Sequence, residues 1–219
     1  MRWSFSKWET YFKCPAKYRF RYEAKLPEPT GPAAQRGLQM HDMAENYIKG
    51  LHDDTSWLKD KKIIPILDDF RHHPNGDRYT EKKLAFDEEW YQTPHTSPRA
   101  TCVGVLDAAR AVDGVLYIGE WKSGKPKETH VDQRKLYALF GLRAWLGIKR
   151  VEVTTYYFDG TGAPQRLVAD PATGAEERLK ALWDGRVDTI QNDTIKSPKA
   201  SDECFWCSFA RKKGGPCPL

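Results

Sequence analysis

Three charged residues are spaced so that a pair of strands would gather them: Asp107 in GVLDAAR, then Glu120 and Lys122 in GEWKSGK. Between them Asp113-Gly114, flanked by β-forming runs, is a strong hairpin signal. With those two residues as the loop, Val112 faces Val115 and, five steps outward, Asp107 faces Glu120. Alternation along the strand returns Lys122 to the face of Glu120. Directly opposed carboxylates repel, so one of them must keep a proton through a raised pKa or a divalent cation must lie between them. Oxygen donors select magnesium, manganese or calcium. An ordinary ion pair with Lys122 would explain either acid alone. Two acids and a lysine on one face, with apolar residues on both flanks, favour a metal site.

The five cysteines are Cys14, Cys102, Cys204, Cys207 and Cys217, and their odd number argues against a disulfide framework. Cys204-Phe-Trp-Cys207 is a C-x-x-C, Cys217 follows after nine intervening residues, and Cys14 stands directly before Pro15. Proline favours the first position of a helix, which makes Cys14 an N-cap, where the helix dipole favours the thiolate. Four cysteines make a metal site that zinc would satisfy; their spacing alone does not choose between zinc and a cluster. Cys102, in the first hairpin strand, reads as an ordinary buried thiol.

The elements that must hold these residues follow from periodicity and from breakers. The opening SFSKWETYFKCPAKYRFRY predicts a short helix capped by Ser4 or Ser6, a break at Cys14 and a second helix. Further helices are expected over 33–51 and over 55–70, the latter interrupted near Pro65, followed by a loop over 72–77. Strands are expected over 79–90, 101–112 and 115–122, then a helix over 129–146, strands at 151–158 and 165–169, and a helix over 174–190. This order predicts a mixed α/β layered domain, with the hairpin at the centre of its core and helices on both sides. The chain reads as one domain, 1–219, with a helical part at 1–75, a core at 76–190 and a cysteine segment at 191–219.

With 219 residues, 30% of them charged and 12% aromatic, the chain is too aromatic for a disordered tail and too charged for a membrane protein. A net charge of +5 leans toward anionic partners. No apolar run approaches a membrane span, and the charged opening lacks the apolar centre of a secretion signal, so a cytoplasmic protein is expected. Lys7, Lys13, Lys17, Arg19, Arg21 and Lys25 are interleaved with Trp8, Tyr11, Phe12, Tyr18 and Tyr22. That pattern suits single-stranded nucleic acid, and equally a solvated face over an aromatic core. Lys125, Lys127, Arg134 and Lys135 are further candidates to grip a phosphate backbone.

GVLDAAR and GEWKSGK together resemble the D and E-x-K elements of the PD-(D/E)xK nuclease superfamily, with Leu106 where the family name has proline. GLQMHDMAE resembles the G-x-x-x-H motif of its RecB-like branch, DQRKLYALF resembles its Q-x-x-x-Y motif, and the opening segment resembles that branch's N-terminal signature. The resemblance runs from Trp3 to Cys217 and implies a restriction-endonuclease-like α/β core, a central mixed β-sheet flanked by helices. It implies His41, Asp107, Glu120 and the Trp121 carbonyl as ligands to magnesium or manganese, and Lys122 as the catalytic lysine. Gln133 and Tyr137, four apart on a helix, would line the DNA or support the centre. Cys14, Cys204, Cys207 and Cys217 are similar to the 4Fe-4S ligands of RecB-like nucleases, including CRISPR-associated exonucleases and AddB-type domains. Such a cluster would staple both chain ends, a contribution of about 5 kcal/mol by analogy with a disulfide. The function implied is a metal-dependent deoxyribonuclease, an exonuclease on single-stranded DNA or DNA ends. A structure-specific endonuclease of the same superfamily and a non-catalytic iron-sulfur or zinc DNA-binding subunit are the alternatives. DNA is the partner implied, alongside proteins of recombination, repair or CRISPR adaptation, with homo-oligomerisation left open.

Overall fold

The computed structural model describes residues 1–72 and 77–219, so most of the loop expected over 72–77 lies outside the described residues. Helix α1 (Phe5–Lys13) starts at Ser4, whose hydroxyl accepts the Lys7 N–H. Cys14 ends α1 and is at once the N-cap of α2 (Pro15–Tyr18), where proline stands at the first position because its missing N–H is not needed there. A π-helical turn, Arg19–Glu23, carries the chain on. Helices α3 (Pro32–Ile48) and α4 (Ile64–Arg71) follow. Residues 55–60 are not helical, contrary to the sequence expectation. Asp60 caps a separate turn, Lys61–Ile63, and Pro65 sits in the first turn of α4 instead of interrupting a longer helix.

Five strands form one sheet in the order β1 to β5: β1 (Asp77–Phe86), β2 (Cys102–Val112), β3 (Val115–Lys122), β4 (Arg150–Tyr157) and β5 (Gln165–Ala169). β1 is shorter than expected, because after Phe86 the chain turns and Trp90 takes a φ of 65°. The β2–β3 loop has Asp113 at φ 50° and Gly114 at φ 78°, the two left-handed residues of a type I′ turn, and Val112 pairs with Val115 as that turn dictates. Among the described residues only β3 and β4 are parallel neighbours in the sheet; helix α5 (Thr129–Ala144) supplies their crossover, and α6 (Ala175–Asn192) is the last α-helix.

The sheet divides two apolar clusters. On one side α1, α5 and α6 pack Trp8, Phe140 and Trp183 against Leu116 and Ile118 of β3. On the other, α3 and α4 pack Met40, Leu67 and Phe70 against Trp121. Strict alternation fails at one level of the sheet, in both β1 and β2; in β2, Leu106 and Ala109 share one cluster. Tyr79 and Leu84 of β1 contribute to the same cluster although one is odd and the other even, so the strand changes face between them. Glu81, at φ 48°, supplies the change. Among the described residues no helix is long and apolar enough to cross a membrane.

Candidate active site

The β2–β3 ladder runs in register from Val112–Val115 to Ala108–Gly119, so Asp107 and Glu120 occupy the next step on adjacent strands. There the Asp107 side chain replaces a ladder bond: its Oδ2 accepts the Trp121 N–H at 2.8 Å. Its Oδ1 lies 3.2 Å from Nδ1 of His41, which α3 brings in from the other layer. Glu120 Oε1 accepts from Lys122 Nζ at 2.6 Å and from Gln133 Nε2 at 2.7 Å. The same Gln133 nitrogen donates to Tyr137 Oη at 3.1 Å, and Tyr137 donates to the Val105 carbonyl at 2.8 Å. Thus α5, through two side chains one turn apart, fixes the rotamer of the β3 carboxylate. The geometry gathers His41, Asp107, Glu120, Lys122, Gln133 and Tyr137. The Trp121 side chain packs on the opposite side of β3, stacked on Phe158.

Glu120 is 3% exposed and Asp107 8%. Burial, then repulsion by Asp107, pushes the Glu120 carboxyl up to about 7, only partly opposed by Lys122 and His41. Burial disfavours charge on His41, but the hydrogen bond and negative charge of Asp107, aided by Glu120, outweigh it and hold its pKa at about 9. Lys122 follows the same pattern: Glu120 and Asp107 overcome its burial and raise its pKa. Two cations therefore balance two acids without a metal.

The residues fit a hard divalent cation. Glu120 Oε2 and Gln133 Oε1 are buried with no hydrogen-bond partner, and His41, Glu81 and Asp107 each offer a ligand atom within 4.8 Å of the others. Glu81 is the residue that sequence reasoning missed. It lies in β1 between Thr80, paired with Ala108, and Lys82, paired with Leu106, which sets it across from Asp107. The register of β1 on β2 was the only signal that could have found it.

Other expectations change in detail. Arg134 does not face outward to grip phosphate; it is buried and donates to Thr155 Oγ1 at 3.1 Å, because α5 is enclosed on nearly every side. Lys135 reaches Asp132, while Lys125 and Lys127 are exposed. In the N-terminal helices Trp8 and Tyr18 are core residues. Lys13 pairs with Glu9 and Glu203, and Lys17 and Arg21 share Glu28, so these cations are already partly neutralised.

Cys14, Cys204, Cys207 and Cys217 line one pocket with Phe20 and Phe209, and all four are free thiols. The nine-residue gap before Cys217 is taken up by a turn at Arg211–Lys213 and by Gly214 at φ 76°, after which Cys217 N–H returns to the Phe209 carbonyl at 2.9 Å. Among the described residues no three of these sulfurs come within 4.8 Å of one another. Cys102 is buried, and burial raises its thiol pKa well above the ordinary value.

A five-stranded mixed sheet, helices on both faces and an acid pair with a lysine where the hairpin ladder opens define a nuclease-like α/β protein. The chain belongs to the PD-(D/E)XK nuclease superfamily, whose family model matches residues 2–211. Among solved structures it is similar to SSO0001, at 17% identity and a TM-score of 0.52, covering 99% of this chain and 86% of that one. A protein of Eubacterium rectale, provisionally described as an exonuclease, superposes at 12% identity with a TM-score of 0.53, covering 96% of this chain and 87% of that one. No curated protein sequence matches the chain significantly.

Proposed function

We propose that this protein is a metal-dependent deoxyribonuclease of the RecB-like branch, an exonuclease acting on single-stranded DNA or DNA ends. The observation that carries the reading is the convergence of His41, Asp107, Glu120 and Lys122 at one opening of the sheet. Hydrolysis joins a water oxygen to phosphorus, breaks a P–O bond of the chain and delivers a proton to the departing oxygen. When bound, magnesium or manganese supplies positive charge against the scissile phosphate and makes a nearby water more acidic. Asp107 and Glu120, with His41 and the Trp121 carbonyl, would hold that cation. Lys122, kept charged by its acidic neighbours, orients the attacking water and balances negative charge gathering on the phosphoryl oxygens. Gln133, anchored through Tyr137, keeps Glu120 aimed.

We extend the proposal to the four cysteines: they are free thiols lining one pocket, which supports metal ligation there, by a 4Fe-4S cluster as in the RecB-like reading, with zinc as the alternative. The cluster's role is to tie the 191–219 segment to α2 within a single nuclease unit.

End-labelled single- and double-stranded DNA, incubated with manganese, tests the function. Wild type should release label progressively, while Glu120→Ala and Lys122→Ala should not. Internal cuts would favour the endonuclease alternative. Equal, metal-independent degradation by all three proteins would refute the catalytic assignment. Iron and sulfide content of anaerobically purified protein decides the cluster.

A further inference from the structure

In a paired antiparallel strand the residue across from Asp107 should continue the ladder, and its neighbours do: Thr80 pairs with Ala108 and Lys82 with Leu106. Glu81 alone leaves the β-region, taking a φ of 48° in the middle of a ten-residue strand. Left-handed backbone at a residue with a Cβ costs stability and is kept where surroundings or function demand it. Its consequence here is directional. The carboxylate comes within 4.8 Å of ligand atoms on both Asp107 and His41. Two cations, His41 and Lys122, already match Asp107 and Glu120. Glu81 therefore adds a negative charge with no matching cation in that set.

We propose that Glu81 is a direct ligand of the divalent cation, completing with His41 and Asp107 a face that Glu120 closes from β3. This rests on the metal-dependent reading above and extends it to a residue outside the motifs. A face-switching glutamate with no ligand role is the alternative, since the same φ also moves Leu84 and Phe86 to the α5 side of the sheet.

Manganese binding by the full-length protein separates the two, measured by calorimetry and by the electron paramagnetic resonance signal of free Mn2+. Glu81→Gln keeps size and should weaken binding by about tenfold or more. Glu81→Gly accepts the left-handed backbone without strain, so its metal-free melting temperature should hold or rise while manganese affinity falls. Asp107→Asn reports on the site as a whole and should abolish binding. Wild-type affinity in both Glu81 variants, with binding lost in Asp107→Asn, would overturn the role of Glu81 and leave the metal site standing. Wild-type affinity in Asp107→Asn would instead overturn the metal site itself.

Discussion

Metal binding at this site should be a proton exchange, and its pH dependence can be worked out in advance. A histidine must be neutral to ligate, yet His41 is held protonated up to about 9 by Asp107. At pH 7 such a group is neutral roughly one time in a hundred, which weakens cation binding by about 3 kcal/mol. Glu120, with a pKa of about 7, is half protonated there and adds little. Between pH 6 and 8 affinity should thus rise about a hundredfold or more, most of it from His41, since the two groups share the same charges. Calorimetric titration with Mn2+ in buffers of different ionisation enthalpy counts the protons directly. Between one and two should leave per metal at pH 7, and one fewer in His41→Asn. Affinity independent of pH, or no proton released, would refute the coupling of His41 to the metal.

Three further outcomes follow from the geometry. In the metal-free protein both His41 and Glu120 have folded pKa values above their ordinary 6.5 and 4.5, so the stability they contribute is complete at low pH. It is lost as pH climbs through about 7 and 9; because the two groups share the same charges, the fall is about 3 kcal/mol in all, seen as a melting temperature that drops from pH 5 to 9 unless Mn2+ is present. Gly215→Ala places a Cβ 2.3 Å from the Phe209 carbonyl group, backbone that cannot swing aside. It should cost about 1–3 kcal/mol and displace Cys217, with bound iron falling, whereas Gly124→Ala, which meets nothing, should change neither. Tyr137→Phe removes the hydrogen bond to Val105, destabilising the fold by about 1 kcal/mol in urea melts and lowering turnover more than DNA binding.

The hairpin was legible because Asp-Gly dictates a type I′ turn, and a two-residue turn leaves the register no freedom; Asp107 and Glu120 fall into place by counting. Cys14 was legible as a cap for a similar reason, since Pro15 fixes where a helix starts. Glu81 was not. A left-handed glutamate inside a strand has no signature in residue type, and its position depends on β1 pairing across a long connection. Arg134 was misjudged because α5 is a crossover helix enclosed by sheet and helices, so residue type says little about which of its sides meets solvent. In the basic N-terminal helices, where residue type left nucleic-acid binding and a solvated face equally open, Lys13, Lys17 and Arg21 have acidic partners in Glu9, Glu203 and Glu28. Local rules located the acids and the caps; contacts between distant segments completed the site.

Asp107 carries two duties at once, and substitutions can separate them. One oxygen accepts the buried Trp121 N–H where the ladder opens; the other faces His41 and the cation site. Alanine would remove both and leave a backbone donor unpaired in the interior, a cost of about 1–3 kcal/mol beyond any effect on metal. Asparagine can still accept the Trp121 N–H through its amide oxygen while losing the charge. Asp107→Asn should therefore melt within about 1 kcal/mol of the metal-free wild type at pH 9, where His41 no longer gains from the acid, and still bind no manganese. Asp107→Ala should be less stable than Asp107→Asn at every pH in urea unfolding. Equal stability of the two would mean that the Trp121 amide finds another acceptor and that Asp107 is there for the cation alone.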